Sequence, residues 1–287
     1  MGLFSKDKNQ QIILDEKDFR KFVGALKEHG QLVKLIGPGF AAGSVTALWN
    51  KWSGGRPTFQ FSTSDKSQWK DIFGGLLTYE MLMVRQGHDH ISALQLRART
   101  GGFADEFTDK IMPSADYNAR DTDSNEDRAT AYIVHTSNSL KTSADVPNAP
   151  ITRTGVKDAL RNAAMYDVRS ETVLRDLHRR SVNQASLKPT RCMAKNAPYP
   201  STGGAAYLLT KTFELARGFP APPAGSLRWF DLSCFLLGAV IRSHGFTDGN
   251  GRVGRAAYAA AMLKGQRHFV ALRVDAEKLI HGLSQVN

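Results

Sequence analysis

A mainly α-helical fold is predicted by three features of this 287-residue sequence. Apolar residues recur at helical spacing along much of the chain, and such a stripe is what an amphipathic helix buries. The most apolar run, Leu232 to Ile241, has ten residues. That is the length of a buried core helix and well short of a bilayer span. The helical stretches are separated by rigid or turn-rich connectors such as "GFPAPPAGS", 218–226.

Taken in order, residues 15–29 place Phe19, Phe22, Val23 and Leu26 on one helical face. The stretch that follows is rich in Gly, Ser and Thr and leaves room for loops and short strands, Thr58 to Ser62 among them. Residues 66–85 return to helical spacing with Trp69, Ile72, Phe73, Leu76, Leu77 and Leu82. A further helix is expected over 89–99, with Asp89 as its N-cap. From Pro113 to Pro150 the chain turns polar and irregular, as a boundary or long surface excursion would. Helices resume at 156–168 and 171–183, the second capped by Ser170. Residues 188–204 are rich in Pro and Gly. Helices are then expected over 205–217, 227–243, 251–264 and 275–284. The resulting division is a mostly helical N-terminal region, 1–145, and a second domain, 146–287.

Bulk properties narrow the function classes. Apolar content of 41% and charged content of 23% are those of a globular domain. The net charge of +11 points to an anionic partner, whether nucleotide, nucleic acid or acidic protein. Cys192 and Cys234 are the two cysteines, too few for a disulfide framework or a multi-cysteine zinc site. The start, "MGLFSKDKNQQ", lacks the apolar core of a secretory signal. It also misses the acylation pattern, because Lys6 stands where Ser or Thr is required.

The chemistry concentrates in "HGFTDGNGRVGR", His244 to Arg255. Gly249, Gly251 and Gly254 spell G-x-G-x-x-G. A dinucleotide site needs its first glycine at the end of a strand. Here seven residues, Arg242 to Asp248, separate Ile241 from Gly249, and His244 and Asp248 would have no task. A helix–loop–helix uses every residue. Backbone N–H groups of Gly249, Asn250 and Gly251 would form an anion nest at a helix N-terminus. Arg252 and Arg255, three apart, would share one face and reach the same polyphosphate. Asp248 offers a hard carboxylate to Mg²⁺. His244 can accept a proton near neutral pH. Phe246 would pin the loop to the core.

This stretch resembles the signature of the Fic family, H-[PX]-F-x-[DE]-G-N-G-R-x-x-R. It matches at every position but the second, where Gly245 replaces the usual proline. The resemblance covers roughly the last half of the chain. It implies a Fic-type helical bundle with a small β-hairpin flap, 188–204, near the active site. It also implies transfer of AMP from ATP to a Ser, Thr or Tyr hydroxyl of a target protein, with release of pyrophosphate. In that chemistry His244 is the general base and Asp248 holds Mg²⁺. Gly249, Asn250 and Gly251 cradle the phosphates, Arg252 neutralises their charge and Arg255 reaches the γ-phosphate. Phe246 anchors the loop. Other donors within the same fold are UMP-, phosphocholine- or phosphate-bearing compounds.

Many members restrain themselves with a helix bearing [ST]-x-x-x-E-[GN], whose glutamate pairs with the second motif arginine. The nearest run here, "TDSNED", Thr122 to Asp127, ends in Asp within a turn-rich stretch and reads as chance. That leaves an inhibitor protein acting in trans, or no such brake. The second suits a secreted bacterial effector or toxin delivered to a host cell without a cleaved signal peptide. A host small GTPase is one target class for such an effector. Residence in the bacterial cytoplasm suits the first.

Other clusters read more plainly. "HDH", His88 to His90, lacks further ligands at metal-site spacing and reads as a helix start. Arg175, Arg179 and Arg180 form a basic helix edge. Between Arg228 and Arg273 there are seven basic residues against two acidic, which places positive charge where ATP would bind rather than along a nucleic-acid groove. The competing function class is a basic binding module with a vestigial site.

Overall fold

The computed structural model describes residues 11–15, 58–62, 84–107, 109–139, 153–182, 202–246 and 249–282. By contact density the chain forms two compact units. One comprises Met1–Gly87 and Pro189–Leu208, the other His88–Lys188 and Leu209–Asn287. In the first, strands β1 (Gln11–Asp15) and β2 (Thr58–Ser62) pair antiparallel, with Gln11 opposite Ser62 and Asp15 opposite Thr58. Asp15, expected to open a helix over 15–29, thus ends a strand. The rest of that expected helix lies outside the described residues, as does 66–83 of the next.

Residues 84–100 form α1 without interruption, so Asp89 sits inside a helix rather than capping one. Helix α2 (Gly102–Phe107) follows at once. Its first N–H groups, on Phe103 and Ala104, both donate to Asp231 Oδ1 at 3.1 Å, so a buried carboxylate from another helix caps it. Strand β3 (Ile111–Met112) and a 3₁₀ turn (Ser114–Tyr117) lead to α3 (Asn125–Ser139). This helix lies within the stretch expected to be irregular. Ser124 opens it: the Asp127 N–H donates to Ser124 Oγ at 3.1 Å, and the Ser124 hydroxyl donates back to Asp127 at 2.6 Å. Asp127 also pairs with Lys157, and Glu126 with Arg161. The "TDSNED" run is therefore a helix start tied to its neighbour.

Helices α4 (Arg153–Met165) and α5 (Glu171–Val182) bury one face each. Ser170 caps α5 as expected, accepting from the Thr172 N–H at 3.3 Å. Helix α6 (Thr202–Arg217) starts three residues earlier than expected, so the C-terminal end of the 188–204 flap is helical. The remainder of the flap lies outside the described residues. Helix α7 (Arg228–Ser243) and helix α8 (Asn250–Lys264) form the centre of the second unit. Strand β4 (Ala271–Leu272) pairs antiparallel with β3, and α9 (Val274–His281) ends in a left-handed Gly282.

Helix α8 is the hub. It packs against α7, α5, α4 and α3. From Arg252 to Met262 every residue is buried. The run of alanines leaves room for helices on all sides. At Gly254 a side-chain carbon would stand 2.7 Å from Ile241, closer than atoms approach, so glycine sets the α7–α8 spacing. Helices α3 and α4 pack on each other as well as on α8. The compact units are therefore divided differently from a boundary at 145/146, because α3 shares a core with the helices on the other side of it. Among the described residues no helix is long and apolar enough to cross a membrane.

Candidate functional site

The motif occupies the turn from α7 into α8. His244 ends α7 in a left-handed conformation, φ 50 and ψ 43, with its N–H donating to Val240 O at 3.3 Å. A non-glycine residue there stores roughly 1–3 kcal/mol of backbone strain. The turn it makes swings the chain off the helix axis. The imidazole is half-buried, and that burial pulls its pKa down to about 4. It is therefore neutral at pH 7 and able to accept a proton.

Gly245, where the Fic signature has proline, has a steric explanation. A side-chain carbon on it would lie 2.7 Å from Leu209 Cδ2 and 3.1 Å from Leu209 Cβ. Proline would add a second obstacle, because the residue before it is driven out of helical conformations. Here that residue is His244, and it is left-handed.

Phe246 is the anchor its alternation with polar residues predicts. The ring is fully buried and stacks on the His178 imidazole of α5, with centroids 4.2 Å apart and planes 10° from parallel. Asn250 then closes the loop. Its Oδ1 accepts from the Phe246 N–H at 2.9 Å, and its Nδ2 donates to the Phe246 carbonyl at 2.8 Å. One amide side chain thereby satisfies both backbone groups of a buried residue four positions back. Thr247 and Asp248, and with them the expected Mg²⁺ ligand, lie outside the described residues.

Gly249 is the N-cap of α8 at φ 76 and ψ 15, which only glycine adopts without strain. It has no side chain to occupy the first-turn N–H groups, so an anion can approach the backbone. Arg252 and Arg255 are both buried on α8 behind this turn. Arg255 is held by Glu277 of α9, which sequence reasoning missed. Nε lies 2.9 Å from Oε2 and Nη2 lies 2.8 Å from Oε2. The Tyr132 hydroxyl of α3 donates to the same carboxylate. Burial alone would lower the Arg255 pKa, but the Glu277 carboxylate outweighs it and the guanidinium stays firmly charged. No local pattern announces Glu277, which is 22 residues from its partner and alone of its kind on that helix face.

The other clusters serve structure. His90 Nε2 bonds the Ile280 carbonyl at 2.9 Å, and His88 lies 3.8 Å from Asp89. Among the described residues no group of three or more His, Cys, Asp or Glu is arranged to hold a metal. Arg175 pairs with Glu171, and Arg179 and Arg180 both pair with Asp176, so this basic edge is partly neutralised.

The stretch His244 to Arg255 thus runs from the end of α7 into α8. No family model matches the sequence. The chain is 32% identical over 176 residues to the protein adenylyltransferase VopS of Vibrio parahaemolyticus serotype O3:K6, a stretch that takes in 60% of this chain. It spans 41% of that protein's length. The fold is also that of the crystal structure of the Fic domain containing AMPylator VopS. The TM-score is 0.66 at 22% identity, over 93% of this chain and 82% of that one.

Proposed function

We propose that this protein is a Fic-type adenylyltransferase that moves AMP from ATP to a Ser, Thr or Tyr hydroxyl of a target protein and releases pyrophosphate. The observation that carries the reading is the tie between Phe246 and Asn250, which holds the chain just after His244 to the glycine-capped start of α8, the helix on which Arg252 and Arg255 are buried. The similarity to the adenylyltransferase VopS supports it.

In this reading the His244 imidazole takes the proton of the target hydroxyl as its oxygen attacks the α-phosphorus. The bond to the bridging oxygen of pyrophosphate breaks. A base of pKa about 4 is weak on its own. The negative charge of bound polyphosphate raises it toward the working range. Backbone N–H groups at Gly249, Asn250 and Gly251 stabilise the charge that builds on phosphate oxygens. Arg252 neutralises that charge, and Arg255 reaches the γ-phosphate. Asp248 would supply the one carboxylate that Mg²⁺ usually takes beside phosphate oxygens. Bound there, Mg²⁺ would offset phosphate charge. The target is a protein with an accessible hydroxyl. A host small GTPase, met by a secreted effector, is the class we favour.

Incubation with labelled ATP, Mg²⁺ and a eukaryotic lysate tests the reading. A labelled protein band is expected with the wild type and none with His244→Ala, whose thermal unfolding should match the wild type within about 2 °C. Undiminished labelling by His244→Ala would refute the assignment of the base. Labelling from UTP, CDP-choline or γ-labelled ATP alone would move the donor to that class. Labelling from no donor would favour a basic binding module.

A further inference from the structure

We propose that Glu277, supported by Tyr132, is a positioning residue that aims one edge of the Arg255 guanidinium at the start of α8; the inference rests on the nucleotide-site reading above. An arginine carries five N–H donors on a planar fork. Glu277 engages the edge made by Nε and Nη2. Nη1 belongs to the opposite part of the fork, and it points at Gly251. A side-chain carbon on Gly251 would stand 3.3 Å from it. Gly251 is the second residue of α8, in the turn that would cradle phosphate. The carboxylate thus neutralises the arginine behind the site while leaving its other donors turned toward the anion.

The supports of Glu277 are rigid. Its side chain is 1% exposed. The α9 residues on either side of it in the helix, Ala276 and Ile280, are fully buried, and α9 packs on α7. The Tyr132 hydroxyl occupies Oε1 from a third helix. A glutamate that blocked the site by seizing this arginine would have to leave for the enzyme to work. Withdrawing this one would unpack α9. The pairing is therefore a permanent part of the site, and it spares Arg255 the rotamer freedom that phosphate binding would otherwise have to freeze.

Glu277→Gln keeps the shape and removes the charge. It is expected to raise the KM for ATP and the Kd for ATP-Mg²⁺ about ten-fold, with the Kd for AMP moving less than about two-fold and kcat falling no more than about three-fold. Tyr132→Phe should show the same split at about two- to three-fold, and it carries the test if Glu277→Gln fails to fold. An unchanged KM for ATP in a folded Glu277→Gln variant overturns the proposal. So does a rise in kcat, which would make Glu277 a brake. Failure of the parent reading looks different, because the wild type then neither binds ATP nor transfers from it. Positioning is in that event read from the Arg255 Nε–H resonance. Slow exchange in the wild type and its loss in Glu277→Gln support the proposal, and an unmoved resonance overturns it.

Discussion

At Gly245 the substitution that would bring the chain closer to the Fic signature should damage it. The carbon that alanine adds would lie 2.7 Å from Leu209 Cδ2. Carbon atoms are comfortable at about 3.5–4.0 Å, so the overlap is about 1 Å. Overpacking of this kind costs about 1–3 kcal/mol. The stiffer unfolded chain returns about 0.4–1 kcal/mol of that. A net loss of about 1–2 kcal/mol corresponds to a Tm lower by about 2–8 °C in a chain of this order of size. Gly245→Pro should lose more, because it also forces His244 from its left-handed geometry. Thermal and urea unfolding of both variants measure the effect. Leu209→Ala costs about 2–5 kcal/mol by itself through its cavity. In the Gly245→Ala, Leu209→Ala double variant the two losses should fall short of their sum by about 1 kcal/mol or more. If Gly245→Pro melts at or above the wild-type temperature, the steric account of this position is wrong. Strict additivity in the double variant would place the clash elsewhere.

Asn250→Ala should destabilise by about 2–3 kcal/mol in urea, because it strands the buried N–H and carbonyl of Phe246 together. Phe246→Ala should cost about 3–5 kcal/mol by the same measurement, since the ring is fully buried against His178. Acidification should weaken the fold before carboxylates titrate. Burial draws His244 and His281 from 6.5 to about 4, so between those values the unfolded chain binds more protons. The stability is whole above about pH 6.5 and is lost as pH falls toward 4. A Tm series from pH 7.5 to 4.5 should slope accordingly and flatten in His281→Gln. A level Tm across that range would contradict the burial of these rings.

Most of the helical core was legible because the helices from α4 to α9 bury apolar stripes, and α6, α7, α8 and α9 end at a Gly or Ser signal. Helix α3 was not, although Ala129, Tyr132, Ile133 and Thr136 bury one face at helical spacing. Two of the four are small or polar, and the acids and amides at its start resemble a loop. Asp89 misled in the opposite direction, being a good cap residue on a helix that had already begun. Within the proposed site, the hydrogen bonds and conformations of His244, Phe246, Gly249 and Asn250 are local to one stretch of chain, which is why the sequence could single these residues out. Glu277 was not, since only folding brings α9 to α8. The reason for Gly245 was equally hidden, because the atom that excludes proline belongs to Leu209 on α6.

The alanine-rich hub has an evolutionary consequence. Helix α8 is enclosed by four others, so none of its faces can drift without disturbing a neighbour. The end of α8 proposed to hold phosphate and the scaffold are one element, and both are constrained together. Change in what the protein binds is therefore most easily accommodated in segments that do not pack on this helix. Substitutions should be tolerated least along α8 and most readily in segments away from it.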